Sequence, residues 1–494
     1  MIKTSHFPRL RKISNFRCQI SRQFLTFSFN IFLTLPIFAQ KISVQFTMPP
    51  SSTPSVSKAV LKYNKDFAYS FTFDDATIDA FTTGLPILRG GLVRGNDVTY
   101  TGLFYTDGCG NSVPFTAAIA WNTGNQFGID VHTGNVIDQL RWGQLDTLYD
   151  AGWDVINHSY SHKSRWLYPM SNNEYINEVE QNNIAVRNKT RRRLEMPVFA
   201  VPANDDYYHG YAFNLGHKLI LDQSASTIGY GGLRVDTLQN LYALKVHRMS
   251  LNDTYKKIVP QFLDSVALKS KNGVKMWFNE FAHRVDDFSL SSSDYNFYYF
   301  KSRLESMANQ YGRGGQDRLW MASPQEVYEY LVMRQMANFT TQVVGNQLDI
   351  NFDLRLIPSW LRRKTLTLVV NSTADFNRVD VPLGVKMTFK GIGNQKIINL
   401  DFTNFKVGIN DVKTGPSVLR LFPNPAKNIL SVECATGVNA PLRATIFDVS
   451  GKLIYQKNVD YPTFQVSIQD LPNGLYFLMV RQGERIFREK FVKQ

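Results

Sequence analysis

The chain has 494 residues, 44% of them hydrophobic and 13% aromatic, with a formal net charge of +14. That length suffices for two to four domains with proper cores, and that composition excludes a disordered or low-complexity protein. Six of the surplus cations lie in residues 1–39, which leaves +8 beyond them; with no basic stripe interleaved with aromatics, a nucleic-acid partner is excluded as well.

Along the chain, Lys3, Arg9, Arg11, Lys12, Arg17 and Arg22 precede the uncharged run FLTFSFNIFLTLPIFA. A basic flank, an apolar core and the small residue Ala39 predict a signal peptide over residues 1–39. The run is short for a membrane span and no later segment is apolar enough for one, so the expectation is an exported protein without a transmembrane anchor. Of three cysteines, Cys18 leaves with the leader, while Cys109 and Cys434 fall in separate predicted domains. No disulfide framework is expected. Residues 40–60 include the Pro/Ser-rich TMPPSSTPS and read as a linker.

From 61 to 338 short apolar runs alternate with amphipathic helices. Strands are predicted at 67–73, 153–156, 198–201, 219–221, 242–246, 274–281 and 319–322. Helices are predicted over 137–151, with Ile137, Leu140, Leu145 and Leu148 on one side, over 254–271, and from a capped start at SPQE (Ser323, Pro324, Glu326). KTRRR at 189–193 reads as a solvated helix end. This alternation argues for an α/β fold with a parallel sheet or barrel, whose functional groups gather at the carboxyl ends of the strands. Residues 84–135, rich in Gly, Thr and Asn, read as an inserted hairpin or lid. Past 339 the period becomes two, predicting a β-sandwich at 340–412 and a final β module at 417–494.

Within FTFDDA (71–76) the adjacent carboxylates of Asp74 and Asp75 follow an apolar strand. Like charges side by side in a partly desolvated place repel, so something must neutralise them. NHSYSH, at the end of the next predicted strand, offers His158 and His162, four apart. One turn of helix would set both imidazoles on one face, a spacing suited to sharing a metal. Two histidines and one carboxylate leave positions open, as catalytic zinc requires, and the second aspartate is then free to take a proton from water. Neighbours on a strand point to opposite sides, so the two aspartates are expected to have different roles.

TFDDA followed by HSYSH resembles the NodB-type polysaccharide deacetylases, carbohydrate esterase family 4, over residues 61–338. The resemblance implies a distorted (β/α)7 barrel, followed here by two small all-β sandwich modules. It also implies Asp74 as catalytic base, Asp75, His158 and His162 as ligands of a divalent metal (Zn2+), and a late-strand histidine as acid. His283 in VKMWFNEFAHR fits that last position, with His247 in LKVHRMS as competitor. The family's Arg-Pro-aromatic segment, whose arginine braces the catalytic aspartate, is here VPANDDYYHGY. Val201 stands in the arginine's place, so Asp74 loses a charge-assisted partner. Either Asn204 or an arginine from elsewhere compensates, or the activity is altered. Asn204 and Asp205 are expected to meet substrate. Ala76 replaces the usual glycine and suggests a less tight turn.

The tail phrases LFPNPAKNILSVE, IFDVSGKLIYQK and DLPNGLYFLMVRQGERIFREKFVK alternate apolar and polar residues between turn signals. They resemble the type IX secretion C-terminal sorting domain, which implies the type IX secretion machinery as partner and a secreted or surface-attached product. Two functions follow: a secreted metal-dependent deacetylase removing acetyl groups, N-acetyl in preference to O-acetyl, from a polysaccharide or oligosaccharide, or an inactive surface glycan-binding or adhesive protein. Tyr105, Trp121 and Trp166 are candidate cleft aromatics.

Overall fold

A computed structural model describes residues 40–134, 136–223, 232–251, 259–289, 295–405, 419–434, 442–448, 453–459, 461, 463–482 and 485–494. The predicted leader lies outside the described residues. Seven parallel strands close into a barrel: β1 (Phe67–Phe73), β2 (Ala118–Trp121), β3 (Asp154–Asn157), β4 (Val198–Ala200), β5 (Leu219–Gln223), β6 (Leu244–Ser250) and β7 (Met276–Ala282), with β7 pairing back on β1. β8 (Leu319–Met321) pairs with the first half of β1. The ring is built of apolar runs because its strands are covered on both faces. In β1 alternate residues divide the work. Phe71 and Phe73 pack outward on Phe300 of the helix Phe297–Tyr311, at 5.4 and 5.6 Å between ring centroids. Ser70 and Thr72 take the inner face, where Ser70 accepts a hydrogen bond from Trp277 Nε1 at 3.0 Å.

Three sequence expectations change. β2 lies inside the supposed insertion: AIAW at 118–121 is too short and too uniformly buried to show a period, yet it is the second barrel strand, so NHSYSH ends the third. The helix α1 (Trp142–Asp150) begins later than predicted, and Ile137 stands 88% exposed while Leu140, Leu145 and Leu148 are buried. The predicted linker is not one. Gln40–Phe46 pairs with Gln347–Asp353 and Phe376–Asp380, and Ser55–Lys58 pairs with Thr365–Asn371. The sandwich after the barrel, two four-stranded sheets, therefore takes one strand in each sheet from before the barrel. Ile42, Val44 and Phe46 alternate into its core; seven residues of period two outweigh the Pro/Ser stretch that follows them.

Sandwich and barrel share one apolar core and are riveted by buried charge. Arg362 and Arg363 donate to Asp154 at the amino end of β3 (2.6 and 2.9 Å), to Tyr149 O, Gly152 O and Trp153 O, and their backbone amides donate to Glu329. Ser323 caps the helix α2 (Pro324–Met336) as predicted, but Glu326 does not complete the box. Its carboxylate accepts from Lys62 Nζ at 2.8 Å. KTRRR begins at the last residue of the helix Asn172–Lys189 and runs out of it, with Arg191 and Arg192 exposed and paired with Asp150.

The tail, described from residue 419, folds as a three-stranded and a four-stranded antiparallel sheet around its own core of Leu430, Val432, Ala444, Ile446, Leu478, Val480 and Phe491. No helix among the described residues is long and apolar enough to cross a membrane.

Asp154 is wholly buried, and its carboxyl, which burial alone would raise, is held below the usual carboxylate range by Arg363 and Arg362. Asp154→Ala leaves two guanidinium groups short of their counter-charge, and we expect a loss of about 3–5 kcal/mol in stability by denaturant unfolding of the full chain. Because Asp154 sits at the amino end of its strand, metal binding at the opposite end should be unchanged below the transition.

Candidate active site

At the carboxyl end of β1 the chain leaves the sheet through Asp74–Ala76, a tight turn in which Asp75 (φ 64°) and Ala76 (φ 50°) are both left-handed. Ala76 therefore does not loosen the turn. It takes the same left-handed geometry at a cost of about 1–2 kcal/mol. Because the turn reverses the chain, Asp74 and Asp75 do not point to opposite sides; their carboxylates lie 3.7 and 3.5 Å from the same atom, His158 Nε2.

The two histidines come together without the predicted helical turn. His158 follows β3 directly, and left-handed residues Ser159 (φ 63°) and His162 (φ 56°) fold the loop back, with His162 N donating to Ser159 Oγ at 3.0 Å. His162 Nε2 lies 3.6 Å from Asp75 Oδ1, and one ligand atom each from Asp75, His158 and His162 fall within 4.8 Å of one another. His158 Nδ1 is 2.9 Å from the carbonyl oxygen of Ala200, which can only accept, so Nδ1 carries a proton and Nε2 faces the cluster. His158 Nε2, Asp75 Oδ1 and Asp74 Oδ2 are buried and lack hydrogen-bond partners. Buried polar atoms of this kind require a partner. Two ligands bound at about 2.0–2.2 Å in a tetrahedral set lie about 3.3–3.6 Å apart, which matches the Asp75–His158 and Asp75–His162 separations. These three residues fit a divalent cation.

The electrostatics follow. Burial lowers the His158 pKa, but Asp74 and Asp75 outweigh it and hold it above its ordinary value. His162 is pushed down to about 4 by burial and by the charge of His158. For Asp75, burial is overridden by His158, His162 and His283, which hold its carboxyl well below the usual range.

Arg248 answers the missing arginine, and it comes from β6. Its Nη1 donates to Asp74 Oδ1 at 2.5 Å, both side chains are fully buried, and the guanidinium lies 4.2 Å from the ring centre of Phe281. No local pattern in LKVHRMS marks it, although it adjoins His247. Alternation along β6 decides between the neighbours: Arg248 points in, while His247 is exposed. His283, just past β7, places Nε2 4.0 Å from Asp75 Oδ2 with its side chain 42% exposed. The aspartate turn clasps that segment, since Thr77 Oγ1 donates to His283 O (2.8 Å) and Val285 N donates to Asp79 Oδ2 (2.9 Å).

Asp205 turns inward instead of toward the barrel mouth's solvent. It is wholly buried and accepts from Arg165 N, Tyr175 OH and Tyr207 N. Asn204 is half-buried with φ 57° and is not the brace of Asp74. Tyr105 and Trp121 are core residues, His132 and His217 are buried as well, and Trp166 is exposed.

Residues 420–494 match the family model of the secretion system C-terminal sorting domain. The chain thus ends in a type IX sorting domain, the mark of a secreted or surface protein that engages that machinery. No curated protein matches the chain. Among solved structures it is similar to Streptococcus pyogenes deacetylase PplD in complex with acetate at 16% identity and TM-score 0.25, covering 36% of this chain and 62% of that one. It is similar to a T48 deacetylase with substrate at 12% identity and TM-score 0.27, covering 53% of this chain and 90% of that one. The chain therefore spans less than two thirds of the first of these structures.

Metal uptake must displace the proton His158 holds, whereas His162 is neutral above about pH 4 and Asp75 is already ionised. With Zn2+ as probe and a competing chelator, we expect apparent affinity to rise about tenfold per pH unit from about pH 5 to the raised pKa of His158 and to flatten beyond it. A slope of two decades per unit would contradict the neutral His162.

Proposed function

We propose that the protein is a secreted, metal-dependent deacetylase of the NodB type that hydrolyses acetyl groups, N-acetyl in preference to O-acetyl, on a carbohydrate polymer. One observation carries this reading: a carboxylate and two imidazoles converge within 4.8 Å, and a second carboxylate held by an arginine lies beside them, at the carboxyl ends of parallel barrel strands.

Asp75, His158 and His162 are the ligands, with Zn2+ the ion that best suits one carboxylate and two imidazoles. When bound, such an ion supplies Lewis acidity, polarising a carbonyl and making water acidic near neutral pH. The protein's own groups do the proton transfers. Asp74 has one oxygen fixed by Arg248 and the other, Oδ2, buried beside His158 without a hydrogen-bond partner; Oδ2 takes the proton of the attacking water. Water adds to the acetyl carbon, the bond to the sugar nitrogen breaks, and acetate and a free amine result. His283, on the other side of Asp75, gives the departing nitrogen its proton. Arg248 orients the base, standing in for the arginine that Val201 replaces, so the departure at 201 moves the guanidinium to another strand and leaves its task intact.

Acetate release from N-acetylglucosamine oligomers, peptidoglycan, poly-N-acetylglucosamine and acetylated xylan tests the proposal. Asp74→Asn and His283→Ala are each expected to lower kcat by about 10²–10⁴ with bound metal unchanged. His158→Ala is expected to lose the metal and the activity together. Full turnover by Asp74→Asn, or stoichiometric metal in His158→Ala, refutes the assignment.

A further inference from the structure

Three loops at the carboxyl ends of β2, β3 and β4 form one side of the barrel mouth, and they leave large rings in solvent: Phe127 is 77%, Trp166 61% and Tyr207 59% exposed. Scattered exposed apolar residues need no explanation, but rings gathered beside a reactive mouth do. These loops are tied together. Gly124 N donates to Tyr160 O (2.6 Å), Tyr168 OH to Gln126 Oε1 (2.6 Å) and Tyr208 OH to Lys163 O (2.8 Å).

Arg165 is the centre of the arrangement. Its backbone N–H donates to buried Asp205, its Nη2 donates to Asp206 at 2.7 Å, and its guanidinium carbon lies 4.3 Å from the ring centre of Trp166 and 4.0 Å from that of Tyr207. One guanidinium, answered by two carboxylates, therefore fixes both rings while leaving much of their area bare. Folding gains little from such area; it becomes favourable only when a flat partner covers it. Trp166 is four residues from His162, so at most about 14 Å of chain separates the ring's backbone from the metal ligand.

We infer that Trp166 and Tyr207 form a stacking shelf for sugar rings, binding the units of a polysaccharide chain next to the one that enters the metal site. A pyranose presents a flat C–H face that lies on an aromatic ring and a rim of hydroxyls that needs acceptors. The exposed carboxylate of Asp206 stands beside the rings as one. A lipid surface would call for unpaired cations around the rings, and here Arg165 is already paired. The inference rests on the deacetylase reading for what the polymer carries, and on the rings alone for the stacking.

Full-length wild type, Trp166→Ala, Tyr207→Ala and the double variant are compared in native gels cast with glycol chitin or acetylated xylan. Tyr242→Ala, an exposed tyrosine ahead of the amino end of β6, is the control, and Trp166→Phe and Tyr207→Phe test rescue. The expected result is retention of wild type and control by at least one polymer, an affinity about tenfold weaker in the double variant, and recovery with phenylalanine. In kinetics, KM for an N-acetylglucosamine hexamer rises with kcat kept, and hydrolysis of 4-nitrophenyl acetate is unchanged. Wild type passing both gels freely, or retention that survives loss of both rings, overturns the shelf. Ring-dependent retention without acetate release from any polymer sinks the deacetylase reading and leaves the shelf standing.

Discussion

Two adjacent carboxylates in a buried turn cannot share one counter-charge, and the rest of the site is arranged around dividing them. Asp74 is answered by Arg248, a permanent cation brought from across the barrel, and Asp75 faces two imidazoles whose free nitrogens converge on it. A buried, unpaired carboxylate would be costly by several kcal/mol, so each partner is a condition for the other's presence. In the proposed reaction the same division separates the tasks: Arg248 fixes Asp74 through Oδ1 and leaves Oδ2 as the base, while Asp75 would serve the metal.

Bringing these groups together takes backbone that L-residues avoid. Asp75, Ala76, Ser159 and His162 are all left-handed, in the two loops that follow β1 and β3, on either side of β2. Such residues persist only where the surroundings over-determine them, and they concentrate at functional sites. The surroundings here are a closed barrel with a sandwich riveted to its amino end through Arg362, Arg363 and Asp154. Because that sandwich takes strands from both sides of the barrel sequence, the barrel's two chain ends are anchored in one body, and the carboxyl ends of the strands are left to carry the chemistry.

The sorting domain gives the enzyme reading its setting. It has a core of its own, built by the same period-two alternation as the sandwich, and it marks the chain for secretion or the cell surface. A mouth flanked by fixed aromatic rings agrees with a large, flat, hydroxylated partner better than with a small diffusible one.

By itself the sequence singled out Asp74, Asp75, His158, His162 and His283, which the fold gathers at one end of the barrel, and it carried the alternation that makes a barrel and the sorting tail. Each of these is written in local pattern: a carboxylate pair after an apolar run, a four-residue histidine spacing, a strand period. Only the tertiary structure decided which groups meet. Arg248 lies 174 positions from Asp74, and nothing in LKVHRMS marks it over its neighbour His247 until alternation in a closed barrel turns one inward and the other out. The strand at 118–121 and the short N-terminal strand at 55–58 were equally hidden. Pairing across long stretches of chain is a property of contacts, and a contact leaves no trace in the residues on either side of it when each looks like an ordinary core or loop position.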